Sequence, residues 1–154
     1  MTTTRDALVA RGAHWIQRPL WQVGALTALV AAVASVIVYA AARAAGVPME
    51  LTEVFEDTFR RMPVMNMVYA SLLEGGIAGT ALAAACRRWT NRPRSWFLAL
   101  TTIGLAASFI LPIVSDATTA TKLVLSFSHV VVAAIIVPAL TLALPTSRRR
   151  IVDR

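Results

Sequence analysis

Two ionisable side chains, Glu74 and His129, interrupt long apolar stretches of the sequence. Such groups are costly inside lipid, and those found there commonly serve binding, proton transfer or a polar pair. Glu74 lies about ten residues and His129 about eight residues past the start of its apolar stretch, which at about 1.5 Å per residue places both at a similar depth. A lone charge in lipid must lose its charge or find a partner. We therefore hypothesise that Glu74 and His129 pair directly or through one water.

Four serines accompany this pair. Ser71 precedes Glu74 and Ser126 precedes His129 by one helical turn, and Ser35 and Ser108 fall at a comparable height in other apolar stretches. Together they predict a small polar cluster. Three uses of the cluster remain open: a structural hydrogen bond that fixes helix register, a proton-binding site coupled to transport, and a pocket for a lipid-like ligand.

The sequence carries no motif of a known catalytic or metal centre. It has no glycine-rich phosphate loop, no zinc-binding HExxH and no nucleophile elbow. The single cysteine, Cys86, forms neither an intramolecular disulfide nor a cysteine metal cluster. We expect no catalytic residue, no metal and no cofactor, and we interpret the protein as not an enzyme, because no nucleophile or metal set accompanies the Glu–His pair.

The elements that must position these residues are membrane-spanning helices. Hydrophobic residues make up 57% of the chain and charged residues 15%, against about a quarter charged in soluble domains. Four stretches, 20–42, 64–86, 96–114 and 121–144, approach the length of a membrane span. They predict an all-α integral membrane four-helix bundle, with residues 1–154 forming a single membrane domain. The first stretch is interpreted as an uncleaved anchor, with cleavage near Ala45 as the alternative.

The distribution of charge predicts the orientation. Eleven of the 15 basic residues flank one side of the spans, and the other side holds Arg43, Arg60, Arg61 and Lys122. Basic residues favour the cytoplasmic side, so both termini are expected in the cytoplasm of a multi-pass cell-membrane protein. The charges flank apolar segments, which argues against nucleic acid as a partner despite the net charge of +7. The abundance of arginine and alanine is typical of a GC-rich bacterial genome.

The only long outer connection shows helical periodicity. From 51 to 62 the apolar residues fall on one face and the charged residues on the other. This pattern predicts a short amphipathic helix over 51–62, bounded by Pro48 and Pro63. It would act as a lid or docking surface, or serve only as a linker held by lipid.

Small residues predict where helices approach closely. Gly75 and Gly79 form a GxxxG pair, and the first span offers a matching small face at Gly24, Ala28 and Ala32. Packing within the chain is one interpretation, and a homodimer interface is the other. The expected partners are the lipid bilayer and a second copy or another membrane protein.

The fourth span also resembles a known family. The stretch from Thr118 through Leu125 and His129 to Pro138, with Ala133 and Ile136 between, resembles domain-of-unknown-function family 6069 of small bacterial four-span membrane proteins. That family has a histidine in the fourth helix followed by valines, a small residue and then proline, and it often has methionine where this chain has Ser128. The resemblance implies the topology and points to His129, but it supplies no activity.

Two functions follow as expectations. The first is a non-enzymatic membrane subunit or structural interaction protein that works through helix packing. The alternative is a small transporter or lipid-like ligand-binding protein that uses the intramembrane Glu74–His129 pair.

Overall fold

Four long helices and one short hairpin make up the part of the chain that the computed structural model describes, residues 18–52 and 59–147. The helices are α1 (Leu20–Ala44), α2 (Val64–Trp89), α3 (Pro93–Val114) and α4 (Thr119–Ala143), and each is long and apolar enough to cross a membrane. The predicted all-α class is confirmed. The basic N- and C-terminal segments used to predict orientation lie largely outside the described residues.

The helix ends follow from local sequence. Gly46 adopts a φ of 84° just beyond α1, where its N–H bonds to Arg43 and the N–H of Val47 reaches back to Ala42. This pattern satisfies the last carbonyls of a helix and needs a residue that tolerates positive φ. Proline opens α3 at Pro93, and the Thr118 side chain caps α4 by accepting from the N–H of Thr121.

Two of the helices are irregular. In α3 the helix is interrupted at Phe109, between Pro93–Ser108 and Ile110–Val114. Pro112 has no N–H to donate to the carbonyl of Ser108, which accounts for the interruption. In α2, Ser71–Ala78 forms a π-helix between α-helical Val64–Ala70 and Gly79–Trp89. Neither irregularity was predicted.

Helices α1, α2 and α4 pack mutually, and α3 packs beside them. We name the two ends of the bundle the turn side, at residues 90–92, and the hairpin side, at residues 50–52 and 59–61. Near the turn side the fully buried core holds Phe97, Leu140 and Leu144. Large apolar side chains such as Leu29, Ile103 and Leu123 point outward instead. Many of the other buried residues are small, such as Ala31 and Ala83. Small residues between helices and large apolar residues on the outer faces are typical of helices solvated by lipid.

The predicted amphipathic helix over 51–62 is wrong. Glu50–Thr52 (β1) and Phe59–Arg61 (β2) are antiparallel strands, with Glu50 opposite Arg61 and Thr52 opposite Phe59. Residues 53–58 lie outside the described part. Pro48 and Pro63 disfavour a helical conformation of the residues before them, and the strand register places Glu50 opposite Arg61. Together with the contacts from α1 described next, these local features outweigh the helical periodicity.

Contacts with α1 hold the hairpin in place. The Arg43 guanidinium donates to the carbonyls of Val47 and Pro48 at 3.0 and 2.9 Å. Tyr39 Oη donates to the Met62 carbonyl at 2.9 Å. Met49 is fully buried and packs with Met67 of α2. The hairpin therefore covers the end of the bundle next to the first turn of α2.

Glycines allow the helices to approach closely, but two of them face a different helix from the one that was predicted. A Cβ on Gly76 would lie 2.5 Å from the Ala28 Cβ, and Gly24 of α1 lies against the Thr80 side chain. Gly75 instead faces α4, where a Cβ would lie 2.6 Å from the flexible end of Ile136. Gly79 also faces α4, with ordinary spacing. The small face of α1 thus meets Gly76 and Thr80, while Gly75 and Gly79 face α4.

We predict that Gly76→Ala destabilises the fold by about 1–3 kcal/mol, because the added methyl has to displace the backbone of α1 or α2. Gly104→Ala is the matched control, since a Cβ there meets nothing within 4 Å. It should leave stability unchanged or raise it by up to about 1 kcal/mol, because alanine favours a helix more than glycine does. Reversible unfolding in detergent measures both. Equal stability of the two variants would contradict the close contact.

Candidate ligand-binding site

A cavity of about 320 Å³ lies between α2, α3 and α4. On α4, every lining residue is buried or half-buried, so this helix forms the floor. The rim contains exposed lining residues from the other two helices: Glu74 and Ala78 of α2, and Leu100 and Gly104 of α3. The cavity therefore opens sideways, between α2 and α3, and not along the bundle axis.

The opening exists because α3 stands away from the middle of α2. It contacts α4 and the Gly79–Trp89 part of α2, but has little contact with the π-helical segment. On α2, Gly75 and Gly79 add no side-chain volume to the cavity wall, and Gly104 adds none on the facing helix. Three lining positions without side chains leave room between the helices.

Glu74 and His129 line this one cavity. His129 is half-buried, and its Nδ1 lies 2.8 Å from the Leu125 carbonyl. Because a carbonyl only accepts, Nδ1 carries the hydrogen, and in the neutral ring Nε2 is an acceptor. Within the described residues, no hydrogen bond or ion pair joins Glu74 to His129 or to any other group. Direct pairing is thus not seen, and a contact through one water stays a prediction.

The predicted serines divide into two groups. Ser71 and Ser108 line the cavity, and Ser35 reaches it indirectly, because its Oγ lies 2.9 Å from Ser71 Oγ in a buried bond between α1 and α2. Ser71 donates to the Met67 carbonyl at 2.8 Å, so its single hydrogen is used and Ser35 is the donor to it. Ser126 is half-buried and does not line the cavity.

Two polar residues that line the cavity, Ser128 and Thr101, were not predicted from the sequence. Ser128 is buried, with its Oγ 3.7 Å from Met67 Sδ, and Thr101 donates to the Phe97 carbonyl at 2.8 Å. A signal for Ser128 was present: it is the position at which the chain departs from the family pattern by replacing methionine with a polar residue. Thr101 gave no signal, because a threonine that bonds its own helix is common in apolar segments.

The π-helical segment is the other feature that the sequence did not reveal. A π-helix takes up an extra residue in its turn, and such segments often occur at functional sites. Here Ser71 and Gly76, five residues apart, both meet α1. In a regular α-helix they would point about 140° apart. The widened turn brings both to α1 and leaves Glu74 on the rim of the cavity.

Comparison with known proteins shows which family the chain belongs to. The model of the family of unknown function DUF6069 matches residues 16–146. The chain belongs to this family. The match covers all four helices and confirms the resemblance seen around His129. No curated protein and no solved structure matches the chain. The DUF6069 assignment brings no activity with it, so a function has to be argued from the cavity.

We predict that the stability effects of Glu74→Gln and His129→Ala add to within about 0.5 kcal/mol in the ligand-free protein, because no bond joins the two side chains. A double-mutant cycle of unfolding in detergent measures this. A coupling above about 1 kcal/mol would contradict the separated arrangement and favour a water bridge.

Proposed function

We propose that this DUF6069 protein is a non-enzymatic integral membrane protein that binds a lipid-like small molecule in the cavity between α2, α3 and α4. The observation that carries the proposal is the sideways opening of a cavity that combines an apolar lining with one carboxylate on its rim, for which no described residue is a partner. A molecule dissolved in the bilayer reaches such a site without passing through water.

The size and lining of the cavity suit a narrow amphiphile. Its volume of about 320 Å³ is at the lower end of the range for small-molecule sites. On α4 the lining runs from Leu125 to Val137, which is about 18 Å at about 1.5 Å per residue. Most of the lining residues are apolar, and the polar groups gather toward the hairpin side around Glu74 and His129. An alkyl chain along the groove with its polar end at Glu74 matches this distribution.

The apolar outer faces and the basic residues of the bundle support a cell-membrane location in which the hairpin faces the outside of the cell. Apolar side chains cover the outer faces of all four helices. Arg87, Arg88, Arg92 and Arg94 cluster at the turn side, which we assign to the cytoplasm by the bias of basic residues. In this orientation the polar end of the cavity lies in the outer half of the bilayer.

A membrane subunit is the second candidate, and a separate surface favours it. On the far side of α2, an apolar groove runs between α1 and α2, lined by exposed Trp21, Leu29 and Ile77 and floored by Ala28 and Gly76. A helix of another membrane protein fits a groove of small residues. This role does not involve Glu74 or His129, so blocking the cavity would leave it intact.

Filling the cavity tests the binding proposal. We predict that Gly104→Phe weakens or abolishes saturable binding of at least one of three radiolabelled probes, decylamine, decanol or decanoate, to the purified protein. The position faces the cavity and a side chain there has open space before it. Thr102→Phe, on the same helix but outside the cavity lining, is the matched control and should bind as the parent does.

Binding is expected at about one probe per chain, with a loss of at least about tenfold in affinity in Gly104→Phe, equivalent to about 1.4 kcal/mol. The proposal fails if no probe binds saturably to the parent protein. It also fails if Gly104→Phe and Thr102→Phe bind equally well.

A further inference from the structure

We infer that the ligand carries a hydrogen-bond-donating cation, of the primary ammonium class, on an apolar body. This inference rests on the proposed binding function and specifies the ligand class. It comes from the direction of the hydrogen bonds around the cavity, because that direction determines whether a lining side chain can still donate to a ligand or can only accept from it.

Every hydroxyl that lines the cavity already donates its hydrogen to the protein. Ser71 donates to the Met67 carbonyl and Ser108 to the Leu105 carbonyl, at 2.8 and 2.7 Å. Thr101 donates to the Phe97 carbonyl at 2.8 Å, and Ser128 to Met67 Sδ at 3.7 Å. A hydroxyl has one hydrogen and two lone pairs. What these side chains can offer to a ligand is therefore acceptor capacity.

The two ionisable residues have the same character. His129 donates through Nδ1 to the Leu125 carbonyl, which leaves Nε2 of the neutral ring as an acceptor. Glu74 accepts through two carboxylate oxygens and has no partner among the described residues. No Lys, Arg, Asn, Gln or Trp is among the described residues that line the cavity. The site thus offers acceptors and, when Glu74 is ionised, one negative charge, and none of these side chains has a donor left to match them.

Such a site discriminates between polar groups. A carboxylate or phosphate ligand would meet lone pairs and a like charge with no donor to compensate, which is unfavourable in an apolar setting. An alcohol provides one donor and no charge. A primary ammonium provides three N–H donors and the charge opposite to that of Glu74, and charge-assisted hydrogen bonds of this kind are the stronger ones. The ammonium also gives Glu74 the counter-charge that no described residue supplies.

Four ten-carbon probes test the inference on the purified full-length chain: decylamine, decyltrimethylammonium, decanol and decanoate. We expect decylamine to bind at least about tenfold more tightly than each of the others. The trimethylammonium probe has the same charge without N–H groups, so it separates the need for donors from the need for charge. Decanol provides the neutral reference.

Glu74→Gln should lower decylamine affinity to about that of decanol while leaving decanol binding unchanged, because the amide keeps the size of the side chain but loses its charge. Glu50→Gln is the control, a carboxylate-to-amide change on the hairpin, away from the cavity lining. It should leave the affinity of every probe unchanged.

The outcomes separate the two proposals. If all probes bind with similar affinity and Gly104→Phe abolishes their binding, the cavity binds amphiphiles but the ammonium inference is wrong. A preference for decanoate, or decylamine binding unaffected by Glu74→Gln, also overturns it. If no probe binds saturably, the proposed function itself fails.

Discussion

The widened turn of α2 is the constraint on which the rest of the bundle depends. Helices in lipid gain little from burying apolar surface against one another, so close backbone approach and buried hydrogen bonds must hold them together. Ser71 bonds Ser35, and Gly76 meets Ala28, both on α1. These two residues face the same neighbour because Ser71–Ala78 is a π-helix. With regular α-helical spacing, either the hydrogen bond or the close contact would be lost.

The cavity follows from this arrangement. Ser71 and Gly76 face α1, and Gly75 faces α4. Glu74 therefore lies on the remaining side of α2, next to the space between α2 and α3. Helix α3 leaves that space open, because it contacts α4 and the last part of α2 but has little contact with the π-helical segment. Polar side chains inside the bundle donate their hydrogens to nearby protein atoms. Every buried side-chain nitrogen or oxygen in the described residues has a hydrogen-bond partner. Glu74, on the exposed rim, does not.

Sequence and structure agree where a property depends on composition and differ where it depends on register. Four apolar stretches were sufficient to predict four helices, and the equal depth of Glu74 and His129 placed both near one cavity. The GxxxG spacing suggested Gly75 and Gly79 for the small face of α1, but that spacing assumes a regular α-helix, and the π-helical turn moves the contact to Gly76. The hairpin was missed because its strands depend on contacts from Tyr39 and Arg43 of α1, which no local pattern reveals.

We propose that the cavity beside the π-helical turn is occupied by a small amphiphile in the cell. Native mass spectrometry of the protein released gently from its own membrane would detect such a ligand. We expect a chain carrying one small adduct that is retained in Thr102→Phe and missing in Gly104→Phe. A bare chain, or an adduct present equally in both variants, would contradict it.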